Sequence, residues 1–397
     1  MNLELSKIKP YPKNTKKHPQ KQIKQIADSI KEFGFNQPLV IDKDNVIIVG
    51  HGRYEAAKLL NLDKVPVLQV NLSEKKAKAY RLADNKLNES DWDMDLVIEE
   101  LKSLEDDALV ALSGFEKDLL IEPDEKDDII PENVETRVKL GDIWQLGRHR
   151  VMCGDSTKRE DVDKLMGGVK ASLIFSSPPY NMGKDMYKTY SDNLPSDEYV
   201  NFNIKVIENW GQYLQGFLFW NISYNRNSRK EFLEIAYKVS KLSNLHFLEL
   251  ICWNKKYAMA VTDKNFMIRS YEDIFVYENE SREDDPDYMM LMKNNDKFYR
   301  KIQGVRLNNY WELTTPMNTQ IKMNKACYPV GLPVKGIIIT TEENQIVSDP
   351  FLGSGTTLIA CEKTNRINYG MELDNLQCDV VLQRYKDYTG VEPIKVV

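Results

Sequence analysis

The chain has 397 residues, of which 42% are hydrophobic and 29% are charged, and its formal net charge is −6. This length predicts two or three domains with enough chain to bury a core. No apolar run approaches the roughly 20 residues of a membrane span. The N-terminal residues lack the features of a signal peptide, so we expect a cytoplasmic protein without a membrane partner.

The five cysteines are scattered and form no Cys-x-x-Cys pair, and the four histidines show no metal-ligand spacing. This pattern argues against a disulfide framework and against a zinc site. We therefore predict no protein-bound metal. The acidic net charge does not exclude nucleic acid as a partner, because binding depends on a local basic face.

The N-terminal arm is basic, with lysines at Lys7, Lys9, Lys13, Lys16, Lys17, Lys21 and Lys24. A solvated charge run and an arm that contacts phosphates are both open interpretations. Apolar residues at helical spacing then predict a helix that stops at Gly34. Residues 38–41 and 46–49 predict two strands around a polar turn.

Glycines at the joint between the second of these strands and the following helix predict an anion site at Gly50, Gly52 and Arg53. This loop, with Gly34-Phe35-Asn36-Gln37-Pro38 before it and Arg81-Leu82-Ala83-Asp84-Asn85 after it, resembles the ParB/sulfiredoxin-like domain. The resemblance covers residues 1–90 and implies a small α+β domain.

The same loop departs from both branches of that family. ParB loops read Gly-Glu-Arg-Arg, so His51 and Gly52 replace two functional side chains, and CTP hydrolysis does not follow. Sulfiredoxin activity needs a cysteine that this loop lacks. A phosphate- or DNA-contacting accessory domain, a structural module, and a nuclease or nucleotidase using His51 stay open. Residues 91–138 are expected to form a helical segment and an acidic linker.

An apolar run, Ala171 to Phe175, predicts a short buried strand, because the paired prolines that follow cannot continue a ladder. The break offers the Ser177 hydroxyl, the Pro178 carbonyl and the Tyr180 ring at the carboxyl edge, where open α/β sheets bind ligands. Two acceptors can draw an exocyclic amine toward tetrahedral geometry, and a ring can stack on a flipped base. From these residues alone, an ordinary Pro-Pro turn is also open.

A second strand runs into a glycine loop and a helix at residues 346–363. Gly353 and Gly355 allow close approach to a ligand, and Thr356 or Thr357 can cap the helix. Roughly 20 residues beyond Gly353 lies Glu372, at the spacing typical of nucleoside-cofactor binding, in which the acid binds the ribose hydroxyls.

Ser-Pro-Pro-Tyr, followed much later by Asp-Pro-Phe-x-Gly-Ser-Gly-Thr-Thr, resembles the amino-methylating DNA methyltransferases that use S-adenosylmethionine. The order of the two motifs is similar to the permuted β-group, and the resemblance assigns residues 139–397 to this domain. It implies an α/β fold with a Rossmann-like sheet. The implied catalytic residues are Ser177, Pro178, Pro179 and Tyr180. The implied cofactor residues are Asp155, Asp349, Pro350, Phe351, Gly353, Ser354, Gly355, Thr356, Thr357 and Glu372. For Asp155, capping of the next helix is also open.

The resemblance implies double-stranded DNA as the partner and places target recognition at about 284–319. The DNA-contacting candidates there are Lys293, Lys297, Arg300, Lys301 and Arg306; a solvated loop with a few core aromatics is the other interpretation. Serine at the head of Ser-Pro-Pro-Tyr favours cytosine N4 slightly over adenine N6. A cognate restriction enzyme and a homodimer are open partners. Nucleoid association and a phage or mobile-element setting follow from the resemblance alone.

Two further functions stay open beside methylation. One is a DNA-binding or partition-type module that keeps the methyltransferase fold without activity, although both motifs look chemically complete. The other is a ParB-type nuclease centred on the N-terminal domain, where the sequence offers no carboxylate cluster for a metal.

Overall fold

The computed structural model describes residues 1–16, 18–87, 94–115, 117–121, 124–132, 134–181, 193–224, 228–242, 244–255, 270–279, 309–313 and 328–397. The chain divides into two compact units, Met1–Leu120 and Ile121–Val397. The division falls inside the segment 91–138, which the sequence assigns to helices and a linker. No helix in these described ranges is both long and apolar enough to cross a membrane.

The first unit is a small α+β domain, as the sequence predicts. Its elements are β1 (Asn2–Glu4), α1 (Gln20–Phe33), β2 (Leu39–Ile41), β3 (Ile47–Val49), α2 (His51–Leu59), β4 (Lys64–Gln69), α3 (Glu74–Leu87), α4 (Met94–Ser103) and α5 (Asp107–Ser113). The strands form one sheet in the order β1-β4-β2-β3. Leu39, Ile41 and Ile47 are fully buried in its core. Helix α1 buries Ile23 and Ala27 and ends at Phe33; Gly34 follows it with a φ of 86°, which suits glycine.

The second unit is a mixed α/β domain. Its strands are β5 (Ile143–Leu146), β6 (His149–Cys153), β7 (Ala171–Ser176), β8 (Leu214–Ile222), β9 (Leu245–Asn254), β10 (Tyr271–Asn279), β11 (Tyr310–Glu312), β12 (Ile346–Asp349), β13 (Ile367–Glu372) and β14 (Ile394–Lys395). Its helices are α6 (Arg159–Met166), α7 (Ser196–Gly211), α8 (Arg229–Val239), α9 (Gly331–Thr340), α10 (Thr356–Lys363) and α11 (Asn375–Thr389).

The strands of this unit form a 10-stranded sheet in the order β11-β9-β10-β8-β7-β12-β13-β6-β5-β14. The central strands β8, β7, β12, β13 and β6 run parallel. On the flanks, β10 and β5 run antiparallel to their inner neighbours. The predicted mostly parallel α/β sheet is confirmed.

Strand β7 explains why the sheet is covered on both faces. All of its residues are buried, and its side chains alternate between two apolar layers. Leu173 and Phe175 lie in the layer that contains α9, α10 and α11, whereas Ile174 lies in the layer that contains α6, α7 and α8. Phe175 stacks on Phe219 of β8 with ring centroids 5.8 Å apart.

The acidic segment that the sequence identifies as a linker contributes contacts to the second unit. Residues Glu125–Asp128 form one helical turn, which Asp124 caps. The carboxylate of Asp127 accepts from Lys363 Nζ at 2.8 Å and from the Tyr388 hydroxyl at 3.1 Å. These bonds attach the turn to α10 and α11, although its sequence shows no apolar periodicity.

Gly216 provides a test of the sheet. The pairing of β7 with β8 shifts register between Ala171 and Leu173, and a Cβ on Gly216 would lie 1.8 Å from the Ser172 carbonyl oxygen. Gly216→Ala must therefore separate the two strands. We expect a loss of about 3 kcal/mol or more in the free energy of unfolding, measured by urea denaturation.

The matched control is Gly211→Ala in α7, where the nearest atom to an added Cβ lies at 3.5 Å. Because alanine favours a helix over glycine by about 1 kcal/mol, this change should leave stability equal or slightly higher. Equal losses in the two variants would contradict the close approach at Gly216.

Candidate active site

The two sequence motifs meet at one edge of the sheet. Strand β12 lies between β7 and β13 and runs parallel to both, and β6 follows in the same direction. The carboxyl ends of parallel strands point the same way, so the residues that follow them share one edge. The predicted catalytic and cofactor residues all lie at or just after these strand ends.

The end of β7 is joined to the end of β12 by a buried hydrogen bond. The Ser176 hydroxyl donates to Asp349 Oδ1 at 2.5 Å. Beyond Ser176, both prolines are buried, and the Tyr199 hydroxyl donates to the Pro179 carbonyl at 2.9 Å. These contacts fix the start of the predicted catalytic loop.

The Tyr180 hydroxyl lies at the centre of a polar cluster. It is 2.8 Å from Ser177 Oγ, 2.9 Å from Asn221 Oδ1 and 3.0 Å from Glu272 Oε2. Lys255 Nζ forms an ion pair with Glu272. Burial, and then the Glu272 carboxylate, raise the pKa of Tyr180 well above its ordinary value, so the phenol is neutral at physiological pH.

On resemblance, the sequence places the segments around Lys255 and Glu272 beside the target-base pocket, with strand ends and polar turns as the other interpretation, but it does not predict their contacts with Tyr180. It did not single out Asn221 for the site. Asn221 is a polar residue inside the buried run of β8, and a polar side chain after Phe217-Leu218-Phe219-Trp220 was the available signal in the sequence. Glu272 lies near the start of β10 and Lys255 just after β9. Both reach the same edge because β10 runs antiparallel to β8 and to β9, a feature that motif spacing does not reveal.

The glycine loop between β12 and α10 differs from the expectation in its cap. Gly355 is the N-cap of α10, with a φ of 86° and no side-chain cap, so the predicted threonine cap is wrong. The first helical residues are Thr356 and Thr357, and the Thr357 hydroxyl instead lies 2.7 Å from that of Tyr328. Gly353 also has positive φ, and no heavy atom lies within 4 Å of where its Cβ would stand.

Other residues of this loop have partners inside the protein. The buried Ser354 receives a hydrogen bond on its carbonyl oxygen from Arg384 at 2.9 Å. The Pro350 carbonyl accepts from the Ser156 hydroxyl at 2.6 Å. Phe351 packs against Phe202, with ring centroids 5.6 Å apart. The loop is thus held from three directions while Gly353 stays open.

Asp349 is fully buried and serves as an acceptor within the protein. Besides Ser176, its Oδ1 accepts the Phe351 amide at 3.0 Å. Burial raises the pKa of its carboxyl, and these hydrogen bonds oppose the rise. Asp349 therefore fixes the start of the glycine loop through buried hydrogen bonds.

Glu372 ends β13 and faces the glycine loop. Its Oε2 accepts the Gly353 amide at 2.8 Å, and its Oε1 accepts the Asp374 amide at 2.9 Å. Burial raises the pKa of this carboxyl to about 7, although both amides lower it. A carboxylate has about four lone-pair sites, and the Leu373 amide also lowers the pKa of this carboxyl by hydrogen bonding. The carboxylate therefore retains capacity for a further donor.

Asp155 follows β6 at the same edge. Its Oδ1 accepts from the Thr157 amide at 2.9 Å and from the Thr157 hydroxyl at 2.7 Å. Helix α6 begins at Arg159, and its N-cap is Lys158. Asp155 thus caps the turn before the helix, and the interpretation of Asp155 as the cap of α6 itself is wrong.

The predicted DNA contacts Lys293, Lys297, Arg300, Lys301 and Arg306 lie outside the described residues. Of the segment 284–319, the structure describes residues 309–313, which include β11. Trp311 is buried in the core, and its ring stacks on that of Phe219 with centroids 6.3 Å apart. For this residue, the interpretation of the segment as a loop with a few aromatic residues in the core agrees with the structure.

In the first unit, the predicted anion loop lies at the start of α2. Gly50 is its N-cap with a φ of 101°, Gly52 is buried, and Arg53 donates to Gln37 Oε1 at 2.5 Å. His51 Nε2 accepts the Tyr11 amide at 3.3 Å. Burial, followed by the charges of His18 and Arg81, lowers the pKa of His51 to about 4, so its imidazole is neutral at physiological pH.

The two units of the chain match two different families of known proteins. The family described as "DNA methylase" matches residues 171–383, which is more than half of the chain. The ParB N-terminal domain family matches residues 1–86.

Among curated relatives, the Type II methyltransferase M.HpaI of Haemophilus parainfluenzae is 24% identical over 256 residues, covering 62% of this chain and 77% of the relative. The ParB-like nuclease domain-containing protein YnaK of Escherichia coli is 44% identical over 64 residues, 16% of this chain and 74% of the relative. Among solved structures, the PvuII DNA methyltransferase (cytosine-N4-specific) is 15% identical, with a TM-score of 0.45 over 62% of this chain and 97% of that chain.

Asn181, which follows Tyr180, provides a test of the loop geometry. Its φ is 55°, its Nδ2 donates to the Leu194 carbonyl at 2.8 Å, and its Oδ1 accepts the Leu194 amide at 2.7 Å. Asn181→Gly removes both bonds without backbone strain. Asn181→Ala removes both and adds about 1 kcal/mol of strain.

We expect the free energy of unfolding to fall by about 1–3 kcal/mol in Asn181→Gly and by a further 1 kcal/mol or so in Asn181→Ala. Urea denaturation of the unmodified protein and of the two variants measures the order of their free energies of unfolding. An alanine variant as stable as the glycine variant would exclude the left-handed conformation at this position.

Proposed function

Since the chain belongs to the DNA methylase family, we propose that it transfers a methyl group from S-adenosylmethionine to an exocyclic amine of a base in double-stranded DNA. Cytosine N4 is the favoured target. The observation that carries the proposal is the meeting of the Ser177–Tyr180 loop and the Gly353 loop at the ends of adjacent parallel strands, which the bond from Ser176 to Asp349 joins.

The residues at the ends of β12 and β13 fit a nucleoside cofactor. Glu372 accepts backbone amides and retains capacity for a further donor, which suits a ribose hydroxyl. The open space at the Gly353 Cβ position allows close approach of a ligand to the backbone. Asp155, on the next parallel strand, lies where the adenine end of the cofactor is expected.

The chain's own residues orient the reacting amine. The bound cofactor supplies a methyl group on a sulfonium, which is its own leaving group. Ser177 Oγ and the Pro178 carbonyl accept the two amine hydrogens, and the nitrogen lone pair then points at the methyl carbon. As the new N–C bond forms, the sulfur would leave as a neutral thioether and one amine proton would pass to solvent. The Tyr180 ring, fixed through its hydroxyl, stacks on the base once it is flipped out of the duplex. Catalysis is mostly positioning and exclusion of water, and no covalent enzyme intermediate is required.

For the first unit, we propose an accessory role in contacting phosphates, in addition to methyl transfer by the second unit. The basic arm and Arg53 support this role. A nuclease that uses His51 as a general base is disfavoured, because its pKa is low and the lone pair of its Nε2 already accepts the Tyr11 amide.

The test uses the full chain, radiolabelled S-adenosylmethionine and unmethylated genomic DNA, with digestion to nucleosides and chromatography. We expect label in N4-methylcytosine. Label in N6-methyladenine would change the target base and keep the mechanism. Absence of label with intact DNA binding would contradict the enzyme and favour a DNA-binding module.

Ser177→Ala removes one of the two proposed acceptors for the amine. We expect kcat to fall about 100-fold, as for loss of one preorganised contact to a reacting group, with unchanged affinity for S-adenosylmethionine. Ser240→Ala is the matched control, since Ser240 is exposed and donates to the Tyr237 carbonyl near the end of α8. An unchanged kcat in Ser177→Ala would exclude the acceptor role.

Glu372 makes cofactor affinity depend on pH. Its pKa of about 7 means that the carboxyl gains a proton as the pH falls below 7, and a protonated carboxyl is a poorer acceptor for a ribose hydroxyl. We expect the Kd for S-adenosylmethionine to rise up to tenfold or so per pH unit below pH 7, measured by calorimetry between pH 8 and pH 6.

Glu372→Gln should bind the cofactor more weakly, with a Kd that does not change over the same range. The control is Glu343→Gln, because Glu343 is exposed on a turn before β12. This variant should keep the pH dependence of the unmodified protein. A Kd independent of pH in the unmodified protein would contradict a titrating carboxylate at the ribose.

A further inference from the structure

The Tyr180 hydroxyl has more acceptors around it than it has protons. Its neighbours are Ser177 Oγ, Asn221 Oδ1 and Glu272 Oε2, all within 3.0 Å. A neutral phenol carries one hydrogen and can also accept. Which neighbour receives that hydrogen decides the direction of the bond to Ser177.

Asn221 and Glu272 both act as acceptors toward Tyr180. Asn221 Nδ2 donates to the Asp273 carbonyl at 3.1 Å, and this bond turns the amide so that its oxygen faces Tyr180. Glu272, paired with Lys255, is ionised and can only accept. The tyrosine hydrogen therefore points toward these two oxygens, with the charged one forming the stronger bond.

Ser177 is then left with one role in this bond. Because the phenol hydrogen is directed at Asn221 and Glu272, the Ser177 hydroxyl donates its own hydrogen to the Tyr180 oxygen. Its two lone pairs remain for a hydrogen of the target amine. If Tyr180 donated to Ser177 instead, one of those lone pairs would be occupied and the serine hydrogen would turn toward the substrate.

The ion pair that sets this direction lies largely out of water. The side chains of Lys255 and Glu272 are 23% and 13% exposed, and Lys255 Nζ lies 4.9 Å from the centre of the Trp253 ring. Pairs removed from water contribute little net stability, because desolvation offsets their attraction. A role in fixing the hydrogen-bond direction accounts for a charged pair at this position better than stability does.

We propose that Glu272, held by Lys255, is a positioning residue that commits the Tyr180 hydroxyl as a donor and so presents Ser177 Oγ as an acceptor to the target amine. This inference rests on the proposed methyl transfer. Glu272 acts through Tyr180 and is not required to touch the base or the cofactor. Its removal therefore lowers the rate of the chemical step and leaves binding of cofactor and DNA unchanged.

A double-mutant cycle with Tyr180→Phe separates this role from a structural one. Phenylalanine keeps the ring for stacking but removes the hydroxyl through which Glu272 acts. In the unmodified background, Glu272→Gln should lower kcat about tenfold, because a neutral acceptor replaces a charged one. In the Tyr180→Phe background, the same change should alter kcat by less than about twofold.

A second cycle does not depend on the residual activity of the Tyr180 variant. Lys255→Met should lower kcat as Glu272→Gln does, and the double variant should lose no more than Glu272→Gln alone. Glu234→Gln is the matched control, because Glu234 forms an ion pair with Lys238 on the surface of α8; its kcat should equal that of the unmodified protein.

The Kd for S-adenosylmethionine and the KM for DNA should stay within about twofold in all of these variants. Equal losses from Glu272→Gln in both Tyr180 backgrounds, or losses confined to KM and Kd, would overturn the positioning role. Absence of methyl transfer by the unmodified protein would instead contradict the proposed function, so the two failures are distinguishable.

Discussion

The site depends on the pairing of β7 with β12. Leu173 lies opposite Val347 and Ile174 opposite Ser348, so the two strands end side by side, about 4.8 Å apart. The buried bond from Ser176 to Asp349 joins these ends. The loop that carries Ser177 and Pro178 and the loop that is open at Gly353 are thereby held at one edge. Motifs separated by more than 170 residues come together through this one parallel pairing.

Burial has different consequences for the acids around this edge. Asp349 and Glu372 have no cation among the main causes of their shifts, and burial raises the pKa of each. Glu272 has Lys255 beside it and serves as a charged acceptor. The same edge thus holds an acid that shapes a loop, an acid that titrates near neutrality and an acid held by an ion pair. Their different surroundings assign them different chemical roles.

The sequence predicts those parts of the site that lie within single segments. The apolar run before the paired prolines predicts β7, and the glycine loop with Glu372 predicts β12, α10 and the end of β13. Resemblance brings the segments around Lys255 and Glu272 near the target-base pocket, but the sequence does not predict the hydrogen bonds around Tyr180, because Asn221, Lys255 and Glu272 come from β8, the end of β9 and β10. Their meeting depends on strand order and direction, which residue spacing does not encode.

Local capping was also predicted less well than the elements themselves. Threonine caps are common, yet the left-handed backbone at Gly355 already ends the loop and leaves Thr357 to Tyr328. Asp155 caps a turn that reaches Lys158, directly before α6 begins at Arg159. In the acidic segment, tertiary bonds from Asp127 to Lys363 and Tyr388 decide the structure, and no local pattern signals them.

A crystal structure of the chain with S-adenosylhomocysteine would reveal how both loops meet the cofactor. We expect the ribose hydroxyls to bind the Glu372 carboxylate, with the backbone at Gly353 against the ligand and the sulfur facing the Ser177–Tyr180 loop. A ribose bound away from Glu372, or a sulfur turned from that loop, would show that the adjacent ends of β7 and β12 do not bring donor and acceptor together.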